Sequence, residues 1–224
     1  MRGAPVVSIE LLLDEATERA VRAEWAALAA AGLSSLGRHP SPSNRPHVTL
    51  LVRERVPVAA LGGSGSGAGP EGRATVPDGS GSPAGPEGRA TVPDGSGSPA
   101  AQGTDAVRPS PLTGRISFAL TLGGPLLFGA GDRRVLARSV VPSAELLALH
   151  ADVHAAAGSG EDAAHTAPGS WTPHVTLARR VKVADLAVAL PLIGGELAGR
   201  ASALRRWDAA SATVTHLGAF SASA

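Results

Sequence analysis

Residues 44–52 read NRPHVTLLV and residues 171–179 read WTPHVTLAR, so the pentapeptide PHVTL stands at Pro46–Leu50 and again at Pro173–Leu177. The chain has seven histidines, and two of them share this setting. On a strand, alternate side chains share a face. His47 and Thr49 therefore point one way, and Val48, Leu50 and Val52 point the other way into a core. His174 and Thr176 pair in the same manner, with Val175 and Leu177 opposite. Pro46 and Pro173 fix the entry to each strand and hold the preceding residue extended. Each stretch thus offers an imidazole and a hydroxyl side by side on an anchored backbone.

The surroundings of the two copies run parallel. Val6–Leu13 reads as a strand, and Asp14 can cap a helix whose Val21, Trp25 and Leu28 fall on one side, with Gly32 placed to stop it. His47–Val52 is the next strand. Further on, Arg115–Leu122, Leu126–Phe128 and Val135–Val141 read as strands, and Ser143 caps a helix through Ala157. A strand at 174–180, a short helix near 183–190 and a closing pair, Leu197–Trp207 and Ala212–Leu217, complete the chain. Each PHVTL follows a helix and opens a strand, a pattern that favours structural duplication over accident.

Between these halves the composition changes. Residues 62–110 are rich in Gly, Ser, Pro and Ala and contain AGPEGRATVPDGSGSP at 68–83 and again at 84–99. With few large apolar side chains to offset backbone ordering, this insert is expected to be a flexible loop carrying a tandem duplication. It contains neither GxxxxGK[ST] nor a GxGxxG between strand and helix, so nucleotide cradling of that kind has no support.

At 224 residues the chain is long enough for one two-lobed domain over 1–224. A net charge of +1 supplies no global field for a long nucleic-acid track, so any such contact is local. Cysteine is absent, which removes disulfides and thiolate metal sites. The N-terminal apolar run is interrupted by Glu10 and ended by Asp14, which argues against a signal peptide, and no apolar stretch reaches the roughly 18 residues a span needs. The expectation is a cytoplasmic monomer with no membrane contact.

Two such strands facing one another would bring two imidazoles and two hydroxyls to one small anionic group. A histidine near its ordinary pKa of ~6.5 serves as base or acid close to neutrality. Threonine hydroxyls can donate to non-bridging oxygens where charge builds up. The paired HVTL at 47–50 and 174–177 resembles the twofold H-x-T-x signature of the 2H phosphoesterases, the superfamily of 2′-5′ RNA ligase-like proteins and RNA 2′,3′-cyclic phosphodiesterases. The resemblance covers the chain apart from the insert. It implies an α+β, two-lobed duplicated fold, with antiparallel sheets lining a central cleft and helices outside. It implies His47 and His174 as the acid/base pair and Thr49 and Thr176 as phosphate-binding residues, without metal or other cofactor. By analogy His174 is the base and His47 the acid, although nothing in the sequence breaks the symmetry. The expected substrate is an RNA end or small nucleotide carrying a cyclic phosphate. Ligation of 2′-5′ ends is the neighbouring alternative, and a non-catalytic RNA-end or nucleotide-binding module is the alternative from another class.

Other residues have two readings each. By strict alternation Arg53 and Arg180 fall on the histidine side and are candidate substrate contacts, exposed strand-end charge being the plain alternative. Trp171 either stacks on a base at the mouth of the cleft or anchors its loop against the core. His150 and His154 have a zinc-compatible i, i+4 spacing, but without an HExxH glutamate or a cysteine they read as a solvated helix face. His39, His165 and His216 belong to no constellation, and Arg205, Arg206 and Trp207 are either structure or rim.

Overall fold

Capping and alternation set the element order. In the computed structural model, which describes residues 6–58, 61 and 112–222, the elements are β1 (Val7–Leu13), α1 (Glu15–Ala30), β2 (His47–Arg53), β3 (Ala119–Phe128), β4 (Arg133–Val140), α2 (Ala144–Ala157), β5 (His174–Lys182), α3 (Leu186–Ala189), β6 (Leu197–Asp208) and β7 (Thr213–Ala219). The expected insert at 62–110 lies outside the described residues, all of which belong to one compact unit.

Asp14 opens α1 by accepting the Thr17 backbone N–H at 3.0 Å and its hydroxyl at 2.6 Å. Ser143 opens α2 by accepting the Leu146 N–H at 3.3 Å. Such caps contribute about 1 kcal/mol each. Gly158 follows α2 at φ 69°, a left-handed conformation that residues with a Cβ rarely adopt. Of the strands expected at Arg115–Leu122 and Leu126–Phe128, residues 119–122 and 126–128 belong to one strand, β3, while 115–118 lie outside it. Its pairing with β4 shifts register between Leu122 and Pro125, where Gly123, Gly124 and a proline without an N–H read as a break but produce only an irregularity.

The sheet is antiparallel, with seven strands in the order β1-β2-β5-β4-β3-β6-β7 and a further pairing of β1 with β6. Pairing is continuous within β7-β6-β1-β2 and within β3-β4-β5. Between these groups it narrows to Ala119–Leu122 against Leu197–Arg200 on one side and to the pair Val48–Val175 on the other. The separate sheets expected from the sequence are thus joined into one. That single Val48–Val175 pair sets the two motif strands next to each other.

The helices pack crosswise. α1, from the first half, lies against β5 and β6, and α2, from the second half, lies against β2. Val21, Trp25 and Leu28 of α1 and Leu146, Leu149 and Val153 of α2 enter a core with Val48, Leu50, Val175 and Leu177. Each of these large apolar side chains contributes roughly 1.5–3 kcal/mol when fully buried. Arg138 on β4 is wholly buried and bound by Glu24 of α1 through Nε at 2.8 Å and again through Nη2, with the Gly123 and Gly194 carbonyls accepting from Nη1 and Nη2. Losing either partner would leave a stranded charge in the interior.

His150 and His154 do not form the solvated face read from their spacing. Both are buried. Their Nε2 atoms lie 3.1 Å apart, and they reach the carbonyls of Thr166 (3.0 Å) and Leu50 (3.3 Å) respectively. The apolar neighbours Leu149 and Val153 turn this side of α2 onto β2, and the imidazoles go with them to meet backbone acceptors there.

Candidate active site

The two motif strands share an irregularity that alternation does not reveal. In β2, Thr49 pairs with Glu10 and Leu51 with Ile9, so the ladder skips Leu50. In β5, Thr176 pairs with Ala137 and Ala178 with Leu136, so it skips Leu177. Each bulge places two successive residues in the core, Leu50 with Leu51 and Leu177 with Ala178. Beyond the bulge the faces exchange. Val52 and Arg179 now lie on the histidine side, and both line the same cavity as the motifs.

The bulges, with a second register shift in β5 between Ala178 and Val181, correct two expected substrate contacts. Arg53 turns away, is buried, and is held by Asp162 (Nε–Oδ1 2.5 Å) and by the carbonyls of Ala157 (3.2 Å) and Gly158 (2.9 Å). Arg180 is exposed at φ 61° and does not line the cavity; Arg179 takes that place. Trp171 resolves toward its anchoring reading. Its indole N–H donates to the Thr49 carbonyl at 2.9 Å, and its ring stacks on His150 at 4.0 Å and 7°.

The anchor has a counterpart. Trp25 of α1 donates its indole N–H to the Thr176 carbonyl at 3.1 Å. A bulge takes backbone groups out of the ladder, and a buried carbonyl needs another partner. Here the tryptophan from each half serves the threonine carbonyl of the other half's motif.

His47, Thr49, His174 and Thr176 line one cavity of about 540 Å³. His47 Nδ1 lies 2.7 Å from the Arg45 carbonyl, and His174 Nδ1 lies 2.8 Å from the Thr172 carbonyl, each two residues back. A carbonyl only accepts, so Nδ1 carries a proton in both rings and Nε2 is the nitrogen left for proton exchange. Burial holds the His174 imidazole below its ordinary pKa of 6.5; nearby His165 and His47 add to this, while the bond to the Thr172 carbonyl opposes it. Its ring also lies 4.6 Å from that of Phe128. His174 is therefore neutral near pH 7, with Nε2 a free base.

Around His47 the wall is ionic. Glu10 Oε1 lies 3.6 Å from His47 Nε2. Burial pushes the Glu10 carboxyl up, but His47, Arg205 and the hydrogen bonds from Ser8 and Arg205 together bring it below the ordinary value, so it is ionised. The sequence marked Glu10 only as an interruption in an apolar run. The signal was available, because a charged residue in a strand buried along its whole length needs a partner. His165 and His39, which had no constellation in the sequence, also line the cavity, as do Arg205 and Trp207. Among the described residues no group of His, Cys, Asp and Glu is arranged to hold a metal ion, and no helix is long and apolar enough to cross a membrane.

An antiparallel sheet presenting two like histidine–threonine strands to one cavity defines the class that the repeated motif suggested. The chain belongs to the 2′-5′ RNA ligase superfamily of 2H phosphoesterases, which matches residues 104–222, more than half of its length. That segment contains the second motif and not the first. Among solved structures the chain is similar to Usb1 of Kluyveromyces marxianus, at 13% identity and a TM-score of 0.41, covering 95% of this chain and 97% of that one. No curated protein matches the chain.

Proposed function

We propose that the protein is a two-histidine phosphoesterase that hydrolyses 2′,3′-cyclic phosphates of RNA ends or small nucleotides without a metal. Membership of the superfamily supports action on RNA phosphates in general. The observation that carries the narrower reading is the pair of Nε2 atoms, each freed by an Nδ1–carbonyl bond, beside two threonines in one cavity. In this reading the fold has two lobes, each offering one motif to a shared cleft.

Water attacks phosphorus in line with the bond to one ribose oxygen. His174 Nε2 takes the proton from water as the new P–O bond forms. The bond to the ribose oxygen breaks, and His47 Nε2–H protonates that oxygen. Thr49 and Thr176 donate to the non-bridging oxygens as charge builds on them. Arg179, on the same side, is the cation placed to meet a further anionic group of the substrate. With the 5′-hydroxyl of a second nucleotide attacking phosphorus in place of water and the 3′-oxygen leaving, the same groups would join 2′-5′ ends.

The test is cyclic-nucleotide hydrolysis in EDTA by wild type, His47→Ala and His174→Ala. Each substitution is expected to lower kcat/KM by about 10²–10⁴-fold. The wild-type profile should be bell-shaped. Because a base works when deprotonated and His174 is held low, activity should persist below pH 6.5 before its acid limb falls away. Binding of RNA ends without turnover of any cyclic phosphate would establish the binding module instead.

A further inference from the structure

The symmetry between the motif strands breaks at one residue. Opposite Thr49 on the neighbouring strand stands Glu10; opposite Thr176 stands Ala137. Glu10 is 4% exposed and elaborately held. The Ser8 hydroxyl donates to Oε1 at 2.7 Å, and Arg205 reaches Oε2 through Nε and Nη2, both at 2.7 Å. Arg205 is itself buried and donates to the Ser43 carbonyl, in the segment leading into β2. A buried ion pair adds little stability over an apolar pair of the same shape. Its place against one histidine and not the other gives it a use in the reaction.

We propose that Glu10, clamped by Arg205 and Ser8, is a positioning residue that keeps a proton on His47 Nε2 and so makes the first motif the acid and the second the base. The inference rests on the two-histidine reading. With Nδ1 committed to the Arg45 carbonyl, the second proton of a charged His47 ring must sit on Nε2. The carboxylate 3.6 Å away favours that cation. The distance is too long for a good hydrogen bond, which leaves Nε2–H free to be given to a leaving oxygen.

The other charged groups near His47 do not duplicate this effect. Arg205 of β6 is bound to Glu10 itself, and His174 of β5 is neutral near pH 7. Arg45, beside the ring on its own strand's approach, is paired with Glu18 of α1, which also binds Arg22. After each turnover His174 has gained a proton and His47 has lost one. Exchange with water resets both, and Glu10 directs the proton back to His47.

The test uses Glu10→Gln and the double variant Glu10→Gln/Arg205→Met, the latter removing the cation that the single variant leaves unpaired in the interior. Histidine imidazole signals are titrated by NMR in wild type and both variants, without substrate. The expected result is that His47 titrates at lower pH in the variants, while His174 shifts less and in the opposite direction as the cation beside it is lost. In parallel, the alkaline limb of kcat/KM for a 2′,3′-cyclic nucleotide should move to lower pH, with a loss on the order of tenfold at pH 8 and little change in KM. Unchanged titration of His47 in a folded variant, or movement of His174 instead, overturns the proposal. A wild-type protein inactive on cyclic phosphates would overturn the hydrolase reading, whereas the titration would still judge the role of Glu10.

Discussion

His47 and His174 each bond a carbonyl two residues back through Nδ1, at 2.7 and 2.8 Å, yet one looks onto a buried carboxylate and the other lies against a phenyl ring. What the strands share is what aims a side chain: the leading proline, the alternation, the skipped leucine and a tryptophan from the other half on the threonine carbonyl. What they do not share is electrostatic environment. The likeness gives two groups one phosphoryl target. The unlikeness gives them different jobs, and it comes from neighbouring strands rather than from the motifs.

After the histidine substitutions, the largest effect within this comparison belongs to the threonines. Thr49→Val and Thr176→Val should each lower kcat on the order of 10²-fold with KM little changed, since both remove a donor to developing charge. Steady-state kinetics that found a loss in one variant only would break the equivalence of the copies.

The same comparison separates what the sequence carried from what it did not. Alternation placed His47, Thr49, His174 and Thr176 on their faces, and Asp14 and Ser143 opened the helices at their capping positions. Alternation failed beyond Leu50 and Leu177, because a bulge is a mismatch in count between two strands and no residue type marks it. Arg53 was misassigned for that reason; Arg180 is exposed, as its plain alternative had it, because β5 shifts register against β4 a second time between Ala178 and Val181. His150 and His154 were read as a solvated face for want of an HExxH glutamate or a cysteine, whereas buried carbonyls on and near β2 supply their partners. Glu10 and Arg205 lie 195 residues apart in sequence, and only the β1–β6 ladder brings them together.

The crossed tryptophans come next in size. Trp25→Phe and Trp171→Phe keep most of the ring and remove the N–H that a threonine carbonyl requires, at a cost of about 1–3 kcal/mol each. Denaturant unfolding should find similar losses for the two; a neutral result at one would show that the bracing is one-sided. The smallest effects concern the arginines after the bulges. Arg179→Ala should raise KM a few-fold and Arg180→Ala should leave it unchanged, while Arg53→Ala should lower Tm without altering KM, because its partner Asp162 is left behind. A KM effect at Arg180 equal to that at Arg179 would mean the exchange of faces does not persist in solution.

Convergence of both motifs on one phosphoryl group is tested most directly by a crystal structure with a nucleoside–vanadate complex, whose metal-oxo centre stands in for pentavalent phosphorus. Vanadate oxygens are expected within hydrogen-bond distance of His47 Nε2, His174 Nε2 and the hydroxyls of Thr49 and Thr176 together. Vanadate bound by one motif alone, or outside the cavity they line, would contradict it.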